Sequence, residues 1–232
     1  MNIALVLSGG IGSRLMSQVP KQYVTVEGMM VVTHTLKKLC NHEKIDAIHI
    51  VCENAWREPI LTELHDASKL RGFSAPGANR QLSILRGLRD MNEYVDDEDV
   101  VFIHDAVRPC ISDKMIGDTI DAIKGHDGVV PVLPLKDTVY RSEDGKHLTG
   151  LLERDKILAG QSPEAFYYGL YLSSNESLTT EEIMRISGSA EPALLAGMDI
   201  VTIPGDENNF KITTNLDLDR FIEIVAHEEP QS

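Results

Sequence analysis

The chain opens on Ile3-Ala-Leu-Val-Leu7 and runs straight into Ser8-Gly-Gly-Ile-Gly-Ser-Arg14, with Pro20-Lys21-Gln22 a few residues further on. A short unbroken apolar run has the length of a strand buried on both faces, and the glycines after it supply the tight exit that such a strand needs. In an open α/β sheet the ligand crevice lies beyond the carboxyl ends of the strands. Glycines there let backbone N–H groups approach an anion closely, and the start of a following helix adds a positive dipole. The spacing is not a dinucleotide fingerprint, because Leu15 stands where a third glycine or an alanine is required. It is not a P-loop either, since Lys21 follows a proline instead of a glycine. The glycines alone also fit an unliganded strand-to-helix turn. Arg14 and Lys21 favour phosphate, because two cations converging on an exposed loop repel unless an anion sits between them. Pro20 fixes one dihedral and ends any helix, which holds Lys21 at a defined place. A cation preset in this way stabilises developing charge with little reorganisation.

Working outward, similar short runs recur at Ala47–Cys52, Val100–Ile103, Gly128–Leu133 and Asp199–Ile203, and each has strand length. Helical spacing falls between them at Val31–Cys40, Arg57–Leu70, Arg80–Met91 and Lys114–Ile123, the last preceded by a capping Ser112 and closed by Gly125. The alternation predicts an α/β fold: a Rossmann-like mixed, mainly parallel sheet covered by helices on both faces. Thr138–Leu152 breaks the rhythm and predicts a protruding β-hairpin with an Asp-Gly turn, either a plain surface excursion or an arm reaching a second subunit. Leu216–Ala226 predicts a final amphipathic helix, followed by a frayed tail. No repeat or composition break divides the chain, so residues 1–232 are expected to form one domain, with the arm at about 138–154.

Composition limits the partners. A net charge of −14 repels nucleic acid and anionic membranes, so any phosphate site must be local and basic. No apolar stretch approaches the roughly 20 residues of a membrane-spanning helix, and the first residues carry no basic leader, so no export and no membrane association are expected. Cys40, Cys52 and Cys110 are widely spaced and read as small core residues in a reducing, cytoplasmic compartment. His49 sits in an apolar run and reads as a satisfied core residue. His34, His42, His65, His126, His147 and His227 lack metal-ligand spacing. Trp56, near a strand end, suits core packing or a lid.

The loop Leu7-Ser-Gly-Gly-Ile-Gly-Ser-Arg-Leu15 with Pro20-Lys-Gln22 resembles the signature of the nucleotidyltransferases that make CDP-alcohols, the group containing 2-C-methyl-D-erythritol 4-phosphate cytidylyltransferase and ribitol-5-phosphate cytidylyltransferase. The resemblance continues at Gly77-Ala-Asn-Arg80-Gln-Leu-Ser83, His104-Asp-Ala-Val-Arg-Pro109, Lys136-Asp-Thr138, Gly160-Gln-Ser-Pro-Glu-Ala-Phe166 and Asn209-Phe-Lys-Ile-Thr-Thr-Asn-Leu-Asp217. It implies transfer of CMP from CTP to an alcohol phosphate, with in-line attack at the α-phosphorus and release of pyrophosphate. Such chemistry needs positioning and charge neutralisation more than a nucleophile, and the resemblance implies Mg²⁺ or another divalent cation as cofactor.

By the same resemblance Arg14, Lys21 and Lys211 are the catalytic cations. Ser8, Gly9, Gly10, Gly12, Gly77, Arg80, Ser83, Asp105 and Ala106 hold the nucleotide, the Gly77 loop taking the pyrimidine. Asp105, Arg108, Thr138, Arg154 and Ser162 serve the alcohol phosphate, and Asp105 is also the candidate metal contact, unless the metal is held through the CTP phosphates alone. Arg154 is expected to come from the arm of a partner subunit, which implies a homodimer with shared sites. Local readings stand beside these: Asn79 as helix cap with Arg80 and Ser83 as the helix start, Asp105 as a loop acid, Arg108 in an ion pair with Asp105 or Asp137.

The chain departs from the family pattern at Ser162-Pro-Glu164, where Thr-Pro-Gln is usual, at Thr179-Thr-Glu-Glu182, and in a longer connection over Ser187–Gly197. Glu164 loses a donor amide and adds an anion near a site built for anions. Gly160 and Val107 stand closer to the polyol phosphate branch. The expected substrate is therefore a polyol phosphate of the ribitol 5-phosphate type, with methylerythritol phosphate, or a non-catalytic nucleotide-binding role, as alternatives.

Overall fold

The structure, a computed structural model, describes residues 1–10 and 19–227. The apolar opening run becomes β1 (Asn2–Leu7), the middle of the sheet, paired in parallel with β4 (Ala47–Val51) on one side and β6 (Val100–Asp105) on the other. Between β1 and β4 come the short pair β2 (Thr25–Val26) and β3 (Met29–Met30) and helix α1 (Val31–Asn41). Helix α2 (Asn54–Glu63) leads to β5 (Leu70–Ser74), which pairs in parallel with β4, and α3 (Arg80–Met91) leads to β6. Helix α4 (Asp113–Asp121) precedes β7 (Gly128–Pro134). After the hairpin of β8 (Tyr140–Arg141) and β9 (Gly150–Leu151), β10 (Leu158–Gly160) and β11 (Glu164–Tyr167) run antiparallel to the rest. Helices α5 (Tyr168–Glu176), α6 (Thr180–Arg185) and α7 (Glu191–Leu195) precede β12 (Ile200–Pro204), parallel to β7, and α8 (Asn215–His227). The main sheet has 8 strands in the order β10-β7-β11-β6-β1-β4-β5, with β12 on β7.

Period-2 alternation along β1 shows why the sheet is covered twice. Ala4 and Val6 join the core formed with α1, α2 and α4, whereas Ile3 and Leu5 join the opposite core with α3, α5 and α7. Tyr168, Tyr171, Phe102 and Phe166 are the largest fully buried side chains, each stabilising the fold by about 1.5–3 kcal/mol on full burial.

Four sequence expectations change. The helix expected over Arg57–Leu70 is α2, which begins earlier and ends at Glu63 because His65 turns into positive φ (25°). A turn follows, and then β5, whose Leu-Arg-Gly-Phe-Ser run has little apolar pattern and is a strand only because β4 supplies its ladder. The antiparallel β11 also carries no strong signal of its own; it fills the gap between β6 and β7. The hairpin is present, yet Asp-Gly is no two-residue turn. Tyr140 pairs with Leu151 and Arg141 with Gly150, leaving a longer loop in which Asp144 accepts from the Lys146 and His147 amides at 2.8 Å each. Ser112 caps α4 as expected, accepting from Met115 N at 3.2 Å. Thr179-Thr-Glu-Glu182 is a capping box at the start of α6. Among the described residues no helix is long and apolar enough to cross a membrane.

His49 is the satisfied core residue its setting predicts. Ser74 Oγ donates to Asp90 Oδ2 (2.6 Å), so it must accept from His49 Nε2–H (2.7 Å), and His49 Nδ1 then accepts from the Tyr94 hydroxyl (2.7 Å). Burial holds His49 down at about 4, and it does the same for His104 in β6. Both are bases whose folded pKa is depressed, so their contribution is fully present above the unfolded value of about 6.5 and is lost as pH falls toward 4. Stability should therefore drop by about 2 kcal/mol per histidine between pH 7 and pH 5. Urea unfolding at the two pH values checks this, and equal midpoints would contradict it.

Candidate active site

The carboxyl ends of β1, β4, β5 and β6 border a cleft of ≈ 610 Å³. The chain leaves β1 for β4 on one side and returns to β6 on the other, so loops diverge at this point and leave a crevice. Ser8 N donates to Val51 O (2.8 Å), Cys52 N to Ser74 O (3.0 Å) and Ala106 N to Leu7 O (3.0 Å), which locks the strand ends into one rim.

The glycine loop is held from behind. Lys21–Tyr23 form one 3-10 turn closed by Tyr23 N donating to Pro20 O (2.8 Å). From that turn Gln22 Nε2 donates to Ser8 O (2.8 Å) and Gly10 O (2.7 Å), while Tyr23 Oη donates to Ser8 O (2.7 Å). These bonds engage the carbonyls, the groups that would repel an anion. Trp56 stacks on Tyr23 at 3.9 Å, so it packs against the loop's support. Gly9 touches the next loop: a Cβ there would lie 2.3 Å from Pro76 Cβ.

That next loop, residues 76–79, is fastened to the first turn of α3. Asn79 Oδ1 accepts from Leu82 N (2.8 Å), the N-cap bond. Ser83 Oγ accepts from Gly77 N (2.9 Å) and donates to Asn79 O (2.9 Å). A Cβ on Gly77 would fall 2.4 Å from Leu82 Cβ and 2.6 Å from its carbonyl carbon, so no other residue permits this approach. Ser83 thus shapes the loop's backbone.

At the cleft floor Asp105, 7% exposed, gathers three cations. Arg80 donates to Oδ1 through Nε (3.2 Å) and Nη2 (3.1 Å), Lys211 Nζ lies 2.9 Å from Oδ2, and Arg108 Nε lies 3.7 Å from Oδ2. Burial, the largest influence, would raise the carboxyl pKa, but Arg80, Lys211 and Arg108 together hold it well below the usual range. Arg108 also donates to Asn209 O (2.6 Å), and Asn209 Nδ2 donates to Ser162 O (2.7 Å).

Of the residues expected at the site, Gly9, Gly10, Lys21, Gly77, Arg80, Ser83, Asp105 and Lys211 line this one cleft. Ser8 and Ala106 are buried just behind it. Ser162 is buried under Asp105, whose N–H it accepts (3.2 Å), and its hydroxyl lies 3.4 Å from His104 Nδ1. Arg108 reads as the ion pair with Asp105 that its spacing allowed. Thr138 is exposed ahead of the hairpin and Arg154 is exposed at its base, where Nη1 donates to Lys136 O (2.8 Å); neither lines the cleft of its own chain. Arg14 and Gly12 lie outside the described residues. Gln22, Glu53 and Thr213 line the cleft without having been given a role; Gln22 and Thr213 stand within the quoted motifs, and Glu53 follows a strand end.

A glycine-lined cleft at a strand-order switch, with lysines from two distant segments, fits a nucleotidyltransferase. The comparisons sharpen this to cytidylyltransferases. Residues 2–226 match the family described as IspD, 2-C-methyl-D-erythritol 4-phosphate cytidylyltransferase, and the chain belongs to that family. It is 33% identical to the 2-C-methyl-D-erythritol 4-phosphate cytidylyltransferase of Geobacter metallireducens over 93% of each chain. It is 31% identical to a ribitol-5-phosphate cytidylyltransferase of Streptococcus agalactiae, covering 92% of this chain and 91% of the other. The fold matches the crystal structure of 2-C-methyl-D-erythritol 4-phosphate cytidylyltransferase from Francisella tularensis with a TM-score of 0.80 at 23% identity, over 95% of this chain and 97% of that one.

Gly77→Ala should destabilise the chain by about 1–3 kcal/mol, because a backbone atom of α3 has to give way, and should weaken nucleotide binding more than the stability loss explains. Thermal unfolding with and without CTP checks both effects.

Proposed function

We propose that the chain transfers CMP from CTP to a polyol phosphate of the ribitol 5-phosphate type. An oxygen of the alcohol phosphate attacks the α-phosphorus in line. The new P–O bond forms as the bond to the bridging oxygen breaks, and that electron pair leaves with pyrophosphate. Lys21 and Lys211, with Arg14, neutralise the crowded centre, and the loop over Gly77–Asn79 presents backbone groups to the base. The observation carrying this reading is that Lys21 and Lys211, distant in sequence, line one glycine-walled cleft with Arg80 and Asp105. The presence of ribitol-5-phosphate cytidylyltransferases among the relatives supports the polyol, as do Gly160 and Val107. A second reading, methylerythritol phosphate as the alcohol, is favoured by the family description and the Geobacter relative.

Magnesium enters as part of the nucleotide substrate. Both oxygens of Asp105 are given to cations, and among the described residues no group of three or more His, Cys, Asp or Glu is placed to hold a metal. That donor set does not fit a resident metal site, whereas Mg²⁺ commonly arrives on substrate phosphates.

The arm fits a homodimer. Tyr140, Leu148, Leu151 and Leu152 expose 39–67% of their surface on the hairpin or beside it, an apolar strip that a second copy would cover. Arg154 and Thr138 at the base of that arm would then serve the alcohol phosphate in the partner's cleft.

Pyrophosphate release with Mg²⁺, CTP and a panel of alcohol phosphates should be fastest with ribitol 5-phosphate; silence with every alcohol would leave nucleotide binding as the function. Lys21→Ala should lower turnover by at least about 10²-fold with an unchanged melting temperature. Mixing Arg154→Ala chains with Lys21→Ala chains should restore part of the activity, and verified mixed dimers that stay inactive would remove the shared-site arrangement.

A further inference from the structure

Glu164 is a buried carboxylate that the reaction above does not use. It pairs with Ile103 of β6. Paired residues on adjacent strands share a face, and Asp105, two residues beyond Ile103, lies on the same one. That is the face α3 covers, since Ile103 packs with Ile84 and Leu88.

A hydrogen-bonded chain ties Glu164 to the start of α3. Its Oε2 accepts from Ser189 Oγ. The Ser189 carbonyl accepts from Tyr171 Oη (2.7 Å), and that hydroxyl accepts from Gln81 Nε2 (3.2 Å), the neighbour of Arg80. Tyr171 also stacks on Phe166, two residues past Glu164, at 4.2 Å. The charged and titratable groups that act on Glu164 through space are Arg80 of α3, Asp105 of β6, Arg108 of the following turn and Tyr171 of α5. Burial pushes the carboxyl up, with Arg80 and the Ser189 hydroxyl pulling the other way. When ionised, Glu164 adds a second negative charge beside Asp105, set against Arg80, Arg108 and Lys211.

We propose that Glu164 is a positioning residue that sets the charge of the nucleotide cleft, subtracting one unit of positive charge beside the place where a triphosphate binds. This rests on reading the cleft as a nucleoside triphosphate site. A polyanion meets a weaker field than the cations alone would create, so binding of the nucleotide is moderated.

Glu164→Gln keeps the shape and the acceptor for Ser189 while removing the charge. Calorimetric titration of the full chain with inorganic tripolyphosphate and with CTP should show the variant binding both about three- to tenfold more tightly near pH 8. Because burial raises the native carboxyl's pKa, the gain should shrink as pH falls. Ser189→Ala, which removes the donor supporting the ionised carboxylate, should shift affinity the same way by a smaller factor. Kinetics should show a lower KM for CTP with kcat little changed; a merely structural role would weaken both. Folded Glu164→Gln with equal or weaker tripolyphosphate affinity overturns the proposal, and if that variant does not fold, unchanged affinity in Ser189→Ala overturns it. Tripolyphosphate reads the cations without base or alcohol, so a gain there alongside silence with every alcohol phosphate would sink the reaction and keep the inference.

Discussion

Asp105 carries the charge around which the cleft is organised. Arg80 comes from the start of α3, Arg108 from the turn after β6, and Lys211 from the segment before α8, so one carboxylate ties together three parts of the chain far apart in sequence. Removing one partner of such a buried cluster typically costs about 3–5 kcal/mol, because the remaining charges are left uncompensated. The cost of burial is accepted where the cations are needed. An ion set held this way is already arranged before substrate arrives, and electrostatic catalysis depends on that prior arrangement.

Support for the cleft comes from polar bonds within and behind its walls. Gln22 and Tyr23 hold the glycine loop by its carbonyls, Ser83 and Asn79 hold the second loop, and Asn209 and Ser162 brace Asp105 and Arg108. Each bond is buried or nearly so, where an unmade partner is costly and a made one is rigid. The hairpin is the opposite case: its side chains, apolar ones included, are exposed. Rigid cleft and exposed arm agree with the shared-site dimer proposed above.

Much of this was legible in the order of residues. Glycines after an apolar run, a proline before Lys21 and an acid at the end of β6 are local signals, and the physics behind each acts over a few residues. Helix α3 was readable to the residue for the same reason, with Asn79 as cap and a regular apolar face. Strands β5 and β11 were not, because their short mixed runs have no pattern of their own and are strands only through the ladders of β4, β6 and β7. Ser162 shows the same limit within the site: its hydroxyl meets Asp105 N and His104, contacts that the motif by itself does not reveal.

The amino-acid sequence by itself determined the parallel α/β core, the phosphate-suited loop and the cations that belong with it, since periodicity, glycine freedom and fixed charge are properties of short segments. Tertiary structure alone decided which charges meet. Lys211 reaches Asp105 from another quarter of the chain, and Glu164 shares the face of Asp105 because β11 inserts beside β6. Coulomb attraction depends on distance through space, and only the closed sheet sets those distances.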